Sequence, residues 1–322
     1  MRPFSIAAVQ MFVTSGDNVD VMCHRIAYVA SVFRWVDMIV FPELASFGPG
    51  LQNPQVLPGP VEERFCDEAR RHKLWLIPGS MVERRHQQLY NTSPVISPDG
   101  EVVVRYRKMF PFLPYESGIS AGERFVTFDV PKAGRFGMSI CYDMWIPETI
   151  RTLVSMGAEV ILHPSMTPTV DRDVELAIAR ACAATNQCYL FDVNGVGAGG
   201  VGRSIVVGPD GEVVHQSGAG PEIVPLEIDL DRVARSRERG LLGLGQPLKS
   251  FRDRHVEFDV YRPGHRSTAL EALGPLTRPG RQPTHGPEVM VGATDERSSD
   301  RVAGPIADPI AGGDPGDGRL DR

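Results

Sequence analysis

The chain has 322 residues, 42% of them hydrophobic, and a formal net charge of -6, so it can bury a sizeable core and carries no basic excess for a phosphate backbone. A nucleic-acid partner is therefore not expected. Five cysteines (Cys23, Cys66, Cys141, Cys182, Cys188) form no CxxC pair, and no run reaches the roughly 20 apolar residues of a membrane span, which argues against a disulfide framework, a zinc knuckle and a membrane protein.

In chain order, an apolar run from Phe4 to Val13 reads as a strand and Asn18 to Trp35 as a helix. The run meets Gln10 before a signal core develops, so free thiols in a cytoplasmic setting are expected. A strand from Asp37 to Phe41 and a helix from Val61 to His72 follow, then strands from Leu74 to Met81, Leu89 to Ile96, Val102 to Arg107, Arg124 to Val130 and Phe136 to Cys141. Beyond these come a helix from Ile146 to Met156, a strand from Glu159 to His163 and a helix from Arg172 to Asn186. Strands from Gln187 to Val193, Ser204 to Val207, Val213 to Gln216 and Ile223 to Ile228 complete the pattern.

Ser97-Pro98-Asp99-Gly100 and Gly208-Pro209-Asp210-Gly211 read as hairpin reversals. In the helix from Arg172, residues Val174, Ala177, Ile178, Ala181 and Thr185 recur at helical spacing and are predicted to lie on a sheet, with Asp171 as N-cap. Alternating strands and helices define an α/β domain over residues 1–261. After Tyr261 aromatic residues, Cys and Lys vanish and Gly, Pro, Asp and Arg dominate. Such a segment buries too little apolar surface to offset its ordering entropy, so 262–322 is expected to be a mainly disordered tail, with Leu270 to Leu276 as a short helix.

Three residues are candidates for chemistry. Glu43, in Phe41-Pro42-Glu43-Leu44, follows the apolar run Met38 to Phe41 and stands at the carboxyl end of a buried strand, where sites gather in open α/β sheets. Cys141 stands where a strand gives way to a turn and helix, an elbow that exposes a nucleophile and leaves backbone N–H groups free. Lys108 precedes the proline-stiffened apolar loop Met109 to Tyr115. Taken singly, each reads more readily as a surface charge or, for Cys141, an inert core thiol.

Together, FPEL around Glu43, RYRK ending in Lys108 and SICYD around Cys141 resemble the three motifs of the nitrilase, or carbon-nitrogen hydrolase, superfamily in its chain order. PYESG places Glu116 where many members carry a second glutamate, and HPS followed by RACAATNQCYL resembles the late strand-helix-strand, so the resemblance spans about residues 4 to 260. It implies a four-layer αββα sandwich, dimers formed face to face, and no cofactor or metal. It also implies roles: Cys141 as thiol nucleophile, Glu43 as proton shuttle, Lys108 with the Tyr142 N–H as oxyanion donors, and Glu116 as an orienting carboxylate. The implied reaction is hydrolysis of a small amide through a thioester. Nitrile hydrolysis, N-carbamoyl hydrolysis and a catalytically silent binding homologue are the alternatives. Tyr115, Tyr142 and Trp145 are expected to wall the substrate pocket, with Met166, Thr167 and Thr169 opposite. The helix from Ile146 and the stretch Leu241 to Leu248 are the expected dimer surfaces.

Other patterns point elsewhere. Gly197 to Gly202 matches G-x-G-x-x-G, but the residues after it continue as a β-like run where a pyrophosphate needs a helix N-terminus. Gly137-Met138-Ser139 nearly spells a serine elbow but lacks its final glycine. His163 reads as a strand-end hydrogen-bonding group.

Overall fold

The computed structural model describes residues 1–278; the expected tail from 279 onwards lies outside the described residues. The N-terminal half comprises β1 (Pro3–Gln10), β2 (Phe12–Val13), α1 (Val19–Val32), β3 (Met38–Val40), α2 (Pro60–His72), β4 (Trp75–Ile77), β5 (Met81–Arg85), β6 (Gln88–Ile96) and β7 (Val102–Arg107). The rest comprises β8 (Val126–Val130), β9 (Gly134–Met138), α3 (Pro147–Ser155), β10 (Val160–Ser165), α4 (Arg172–Asn186), β11 (Tyr189–Asn194), β12 (Val196–Gly197), β13 (Gly200–Val201), β14 (Ile205–Val207), β15 (Val213–Gln216) and β16 (Glu222–Asp229). Helices α5 (Asp231–Arg239), α6 (Pro247–Asp253) and α7 (Thr268–Glu271) follow.

Two mixed sheets form the centre. One runs β16-β1-β3-β4-β6-β5 with β7 on β6, and the other runs β15-β14-β11-β10-β9-β8. Their facing side chains make one core: Phe4, Ile6, Met38 and Ile77 from the first meet Phe128, Phe136, Leu162 and Phe191 from the second. Phe4 packs edge-on to Phe136 with centroids 5.3 Å apart, an arrangement that adds about 0.5–1.5 kcal/mol to the burial itself. On its other face the first sheet is covered by α1 and α2 through Met22, Ile26, Val29 and Phe65. The second is covered by α3 and α4 through Ile150, Leu153, Leu176 and Ala179. The layers are therefore helix, sheet, sheet, helix, as the motif resemblance implied.

The hairpins fall where the turn residues placed them, joining β6 to β7 and β14 to β15 antiparallel. Several expected boundaries move. The first strand breaks at Met11, and Leu74 to Met81 divides into β4 and β5 around Pro78-Gly79-Ser80. Gly79 has φ +71, and a Cβ there would lie 1.8 Å from the Pro42 carbonyl oxygen. Only glycine permits this approach. It brings the Ser80 hydroxyl to accept the Leu44 N–H at 3.0 Å, beside Glu43.

Helix α4 has the expected span but a different inner face. Arg172, Glu175, Leu176, Ala179, Cys182, Ala183 and Asn186 are buried, while Val174 is 49% exposed. An alanine-rich helix offers more than one stripe at helical spacing, and the one chosen here buries a salt-bridged Arg172 and Glu175 that composition assigns to solvent. Asp171 occupies the N-cap position without a capping hydrogen bond; its carboxylate instead accepts from the Thr169 hydroxyl. Gly197 to Gly202 forms the β12–β13 hairpin and leads into a strand. Helix α5 went unforeseen because only Val233 and Ser236 of DRVARSRER are buried, too few for a periodic signal. The short helix expected at Leu270 to Leu276 lies slightly earlier, as α7. Among the described residues no helix is long and apolar enough to cross a membrane.

Candidate active site

Glu43, Lys108 and Cys141, far apart in sequence, meet at one end of the two sheets. Glu43 sits three residues past β3, and its N–H donates to the Ser165 carbonyl at the end of β10, 3.2 Å away, tying the sheets together. Lys108 comes directly after β7, its N–H held by the Asn91 carbonyl and its own carbonyl by the Gly122 N–H. Cys141 lies beyond β9 rather than within it: the strand ends at Met138, and Cys141 opens a 3-10 turn, Cys141–Trp145, with φ +46. That backbone region is costly for a residue with a Cβ.

Asp143 holds the elbow in place. Its carboxylate accepts the Ile140 N–H at 2.9 Å, the Tyr106 hydroxyl at 2.6 Å and the Phe110 N–H at 2.8 Å. The cysteine turn is thus locked to the loop after Lys108. Burial pushes this carboxyl up to about 6, against the pull of the Tyr106 hydrogen bond and the Lys108 charge.

The Lys108 ammonium, 1% exposed, bridges two carboxylates: Glu43 Oε1 at 2.9 Å and Glu116 Oε2 at 2.8 Å. Asn91 Nδ2 donates to both glutamates, at 2.7 and 3.3 Å. The Cys141 thiol and the Glu43 carboxylate are near enough for each to shift the other's proton affinity, and the sulfur lies 3.9 Å from the Thr167 hydroxyl. Burial lowers the proton affinity of Lys108, but Glu43, Cys141 and Glu116 outweigh it and hold the ammonium charged. Burial pushes Glu43 up to about 7 despite Lys108. Burial and then the Glu43 charge push the Cys141 thiol well above its usual range. The resting proton therefore stays on sulfur, with an acceptor of raised basicity beside it.

Those values set a pH dependence. A Glu43 that must be ionised to take the thiol proton becomes competent as pH rises through about 7, with an apparent pKa that belongs to the acid-thiol pair. We expect kcat/KM for amide turnover to climb several-fold between about pH 6 and 8. A profile that is flat or falling across that range would contradict Glu43 as the base.

The aromatic side chains expected to wall the pocket form a stacked row. Tyr115 packs on Phe112 with centroids 4.9 Å apart, Phe112 on Tyr142 at 4.9 Å, and Tyr142 on Trp145 at 6.1 Å. Tyr142 and Trp145 belong to the cysteine turn, whereas Tyr115 stands outermost and is 52% exposed. The Met166 side chain packs with Leu44 and Ile119. Ser139 and His163 form a buried pair, Oγ to Nδ1 at 2.6 Å. Burial drives His163 down to about 3, so the ring is neutral and sealed from solvent, unlike a base serving an exposed serine.

Sequence reasoning missed Asn91, Asp143 and Glu175. Asn91 had a signal, a polar residue inside the strand QLYNTSPVI, where an unpaired amide is costly. A groove of about 700 Å³ lined by Arg85, Arg107, Glu123 and Arg124 lies along β5 and β7 and includes none of the three central residues.

Two facing mixed sheets between helices, with a thiol, a carboxylate and an ammonium at one end, place the chain among cysteine-bearing hydrolases of the αββα class. The comparisons agree: the family model described as carbon-nitrogen hydrolase matches residues 5–238, and the chain belongs to that family. It is a hydrolase of carbon-nitrogen bonds other than peptide bonds. It is 31% identical over 242 residues to an (R)-stereoselective amidase of a Pseudomonas species, covering 72% of this chain and 87% of that protein. It is 29% identical over 261 residues to the human omega-amidase NIT2, covering 74% and 93% respectively. Saccharomyces cerevisiae Nit3, a branch 10 member of the nitrilase superfamily, superposes with a TM-score of 0.65 at 27% identity, over 73% of this chain and 93% of that one.

Proposed function

We propose that this chain hydrolyses a small non-peptide amide to a carboxylic acid and ammonia through a Cys141 thioester. The observation that carries the reading is the Lys108 ammonium between the Glu43 and Glu116 carboxylates, with the Cys141 thiol facing Glu43. The amidase names of two relatives support it.

In the first half-reaction Glu43 takes the thiol proton as sulfur bonds to the amide carbon. The carbonyl pair moves onto oxygen, between Lys108 Nζ and the N–H of Tyr142, the second residue of the 3-10 turn, where backbone N–H groups lack a partner within the turn. Each such donor is worth roughly 3–4 kcal/mol in a water-poor site. Collapse of the adduct expels nitrogen, which leaves as ammonia with the proton from Glu43. In the second half Glu43 takes a proton from water, the hydroxide oxygen bonds to the thioester carbon, and the acid departs as the proton returns to sulfur. Glu116 and Asn91 hold Lys108 and Glu43 in line throughout. The chemistry is complete with these side chains.

Ammonia release from a panel of short amides, ureido acids and nitriles tests the reading. Amide turnover at least about tenfold above that of the other two classes, compared by kcat/KM, is the expected result. Turnover confined to nitriles or ureido acids would replace it.

The chain is also inferred to form homodimers. Of the two surfaces expected from sequence, α3 turns Ile150, Leu153 and Val154 into the core, while Leu242 and Leu244 remain 81% exposed each. Exposed leucines of that kind mark contact surfaces. Light scattering at micromolar concentration is expected to give twice the 35.3 kDa chain mass, and a monomer mass would reject the inference.

A further inference from the structure

The buried face of α4 carries two charges that the triad does not use. Glu175, 3% exposed, accepts Trp145 Nε1 on one carboxylate oxygen and Arg172 Nη1 on the other, both at 3.1 Å. Arg172 is shared, because its Nη1 is also 2.8 Å from Asp192 Oδ2 and its Nη2 donates to the Arg203 carbonyl at 2.8 Å. One guanidinium thus serves two buried carboxylates, and a negative charge is left over. The charge reaches the reaction centre, since Glu175 is among the groups that disfavour the Cys141 thiolate.

Nearer the sulfur the imbalance repeats, with one ammonium between Glu43 and Glu116. Among the described residues Lys108 and Arg172 are therefore each committed to two carboxylates of the protein, and a second carboxylate on a substrate would meet net negative charge. Arg278 stacks over Tyr115 at 5.2 Å, but that ring is half exposed, where water and salt screen the charge.

The aromatic row adds a second, independent feature. It runs from Tyr115 through Phe112 and Tyr142 to Trp145 and ends at the Glu175 carboxylate. Aromatic faces attract cations and repel anions, and more strongly where water is excluded.

We propose that this site selects amides whose acyl portion carries an ammonium group, seated along the Tyr142–Trp145 row and neutralised by Glu175, and that it discriminates against amides bearing a second carboxylate. The proposal rests on the amidase reading and names the substrate class for that same site. Glu175 is then the specificity-determining residue, acting on the substrate charge rather than on the reacting atoms.

The test compares kcat/KM of the full chain for 4-aminobutanamide, pentanamide and succinamate, which are cationic, neutral and anionic near pH 8. The cationic amide is expected to exceed the neutral one by about tenfold or more, and the anionic one to fall below it by a similar factor, as unit charges several ångströms apart require at a partly buried site. In Glu175→Gln, which keeps an oxygen for Trp145 and leaves Arg172 paired with Asp192, the cation-to-neutral ratio is expected to drop to within about threefold. A second readout needs no variant: butylamine should inhibit wild-type pentanamide turnover at about a tenth of the butyrate concentration. Equal rates for the cationic and neutral amides, or preference for succinamate, would overturn the proposal while pentanamide turnover still upheld the amidase reading. No turnover of any of the three would remove both.

Discussion

Replacing Cys141 with alanine is expected to leave a folded protein whose ammonia release from amides falls by at least about 10⁴-fold, because the proposed acyl intermediate is carried on its sulfur. Cys141 is 9% exposed and its neighbours are held by Asp143, not by the sulfur, so the fold should lose only about 1 kcal/mol, the worth of a small buried group. The adverse φ of +46 is the same burden for alanine as for cysteine. Serine in the same place should rescue little, since its hydroxyl is far harder to ionise. Iodoacetamide, itself a small amide, provides a parallel measurement by mass spectrometry. Wild type should take one label rapidly at Cys141, where Glu43 stands ready for the proton. All five thiols are raised by burial, Cys182 and Cys188 to about 11 and 12, so the expected contrast rests on Glu43 as proton acceptor and on binding of the reagent's amide at Cys141, and the other four should label slowly. Wild-type turnover by purified Cys141→Ala protein would end the thioester mechanism.

Lys108→Met should lower kcat by about 10²–10³-fold, the scale of losing an oxyanion donor in a dry site. The fold should suffer as well as the turnover. The ammonium is 1% exposed and is the shared partner of two carboxylates, so its removal strands Glu43 and Glu116 with only Asn91 between them. Breaking a buried pair in this way costs about 3–5 kcal/mol.

The sign of the pH effect follows from Glu43, whose pKa is already raised by burial to about 7 and loses its main counterweight in the variant. A carboxyl that binds its proton more tightly folded than unfolded costs nothing below its unfolded pKa and costs increasingly more as pH rises through the folded value. The gap in stability between wild type and Lys108→Met should therefore be small near pH 5 and wide near pH 8, read by denaturant midpoint. Equal midpoints at both pH values would show that Lys108 is not the counter-ion of this cluster.

The elements most legible in the chain were those with a local cause. Two proline-aspartate-glycine turns marked their hairpins, the run from Met38 marked β3, and the motifs around Glu43, Lys108 and Cys141 stood in an order that matched one family. What local pattern left open was decided by contacts across large sequence separations. The buried face of α4 is the clearest case: counting apolar residues at helical spacing selected Val174 and Ala177, because the rule sends arginine and glutamate to solvent. Asp192, 17 residues beyond Glu175 and on another element, supplies the second partner that lets Arg172 lie inside. Asp143 escaped notice for a similar reason, since two of its donors, Tyr106 and Phe110, come from another part of the chain.

By itself, then, the sequence determined the alternation of strand and helix, the reversals, and which thiol, carboxylate and amine to examine, because those follow from short-range periodicity and turn chemistry. Tertiary structure alone decided that Glu43 and Lys108 lie 2.9 Å apart, that the thiol keeps its proton beside a carboxyl of raised pKa, and that the aromatic row ends at a second buried carboxylate. The reason is electrostatic: proton affinity and net charge at a site depend on burial and on neighbours within a few ångströms, and folding, not chain order, chooses those neighbours.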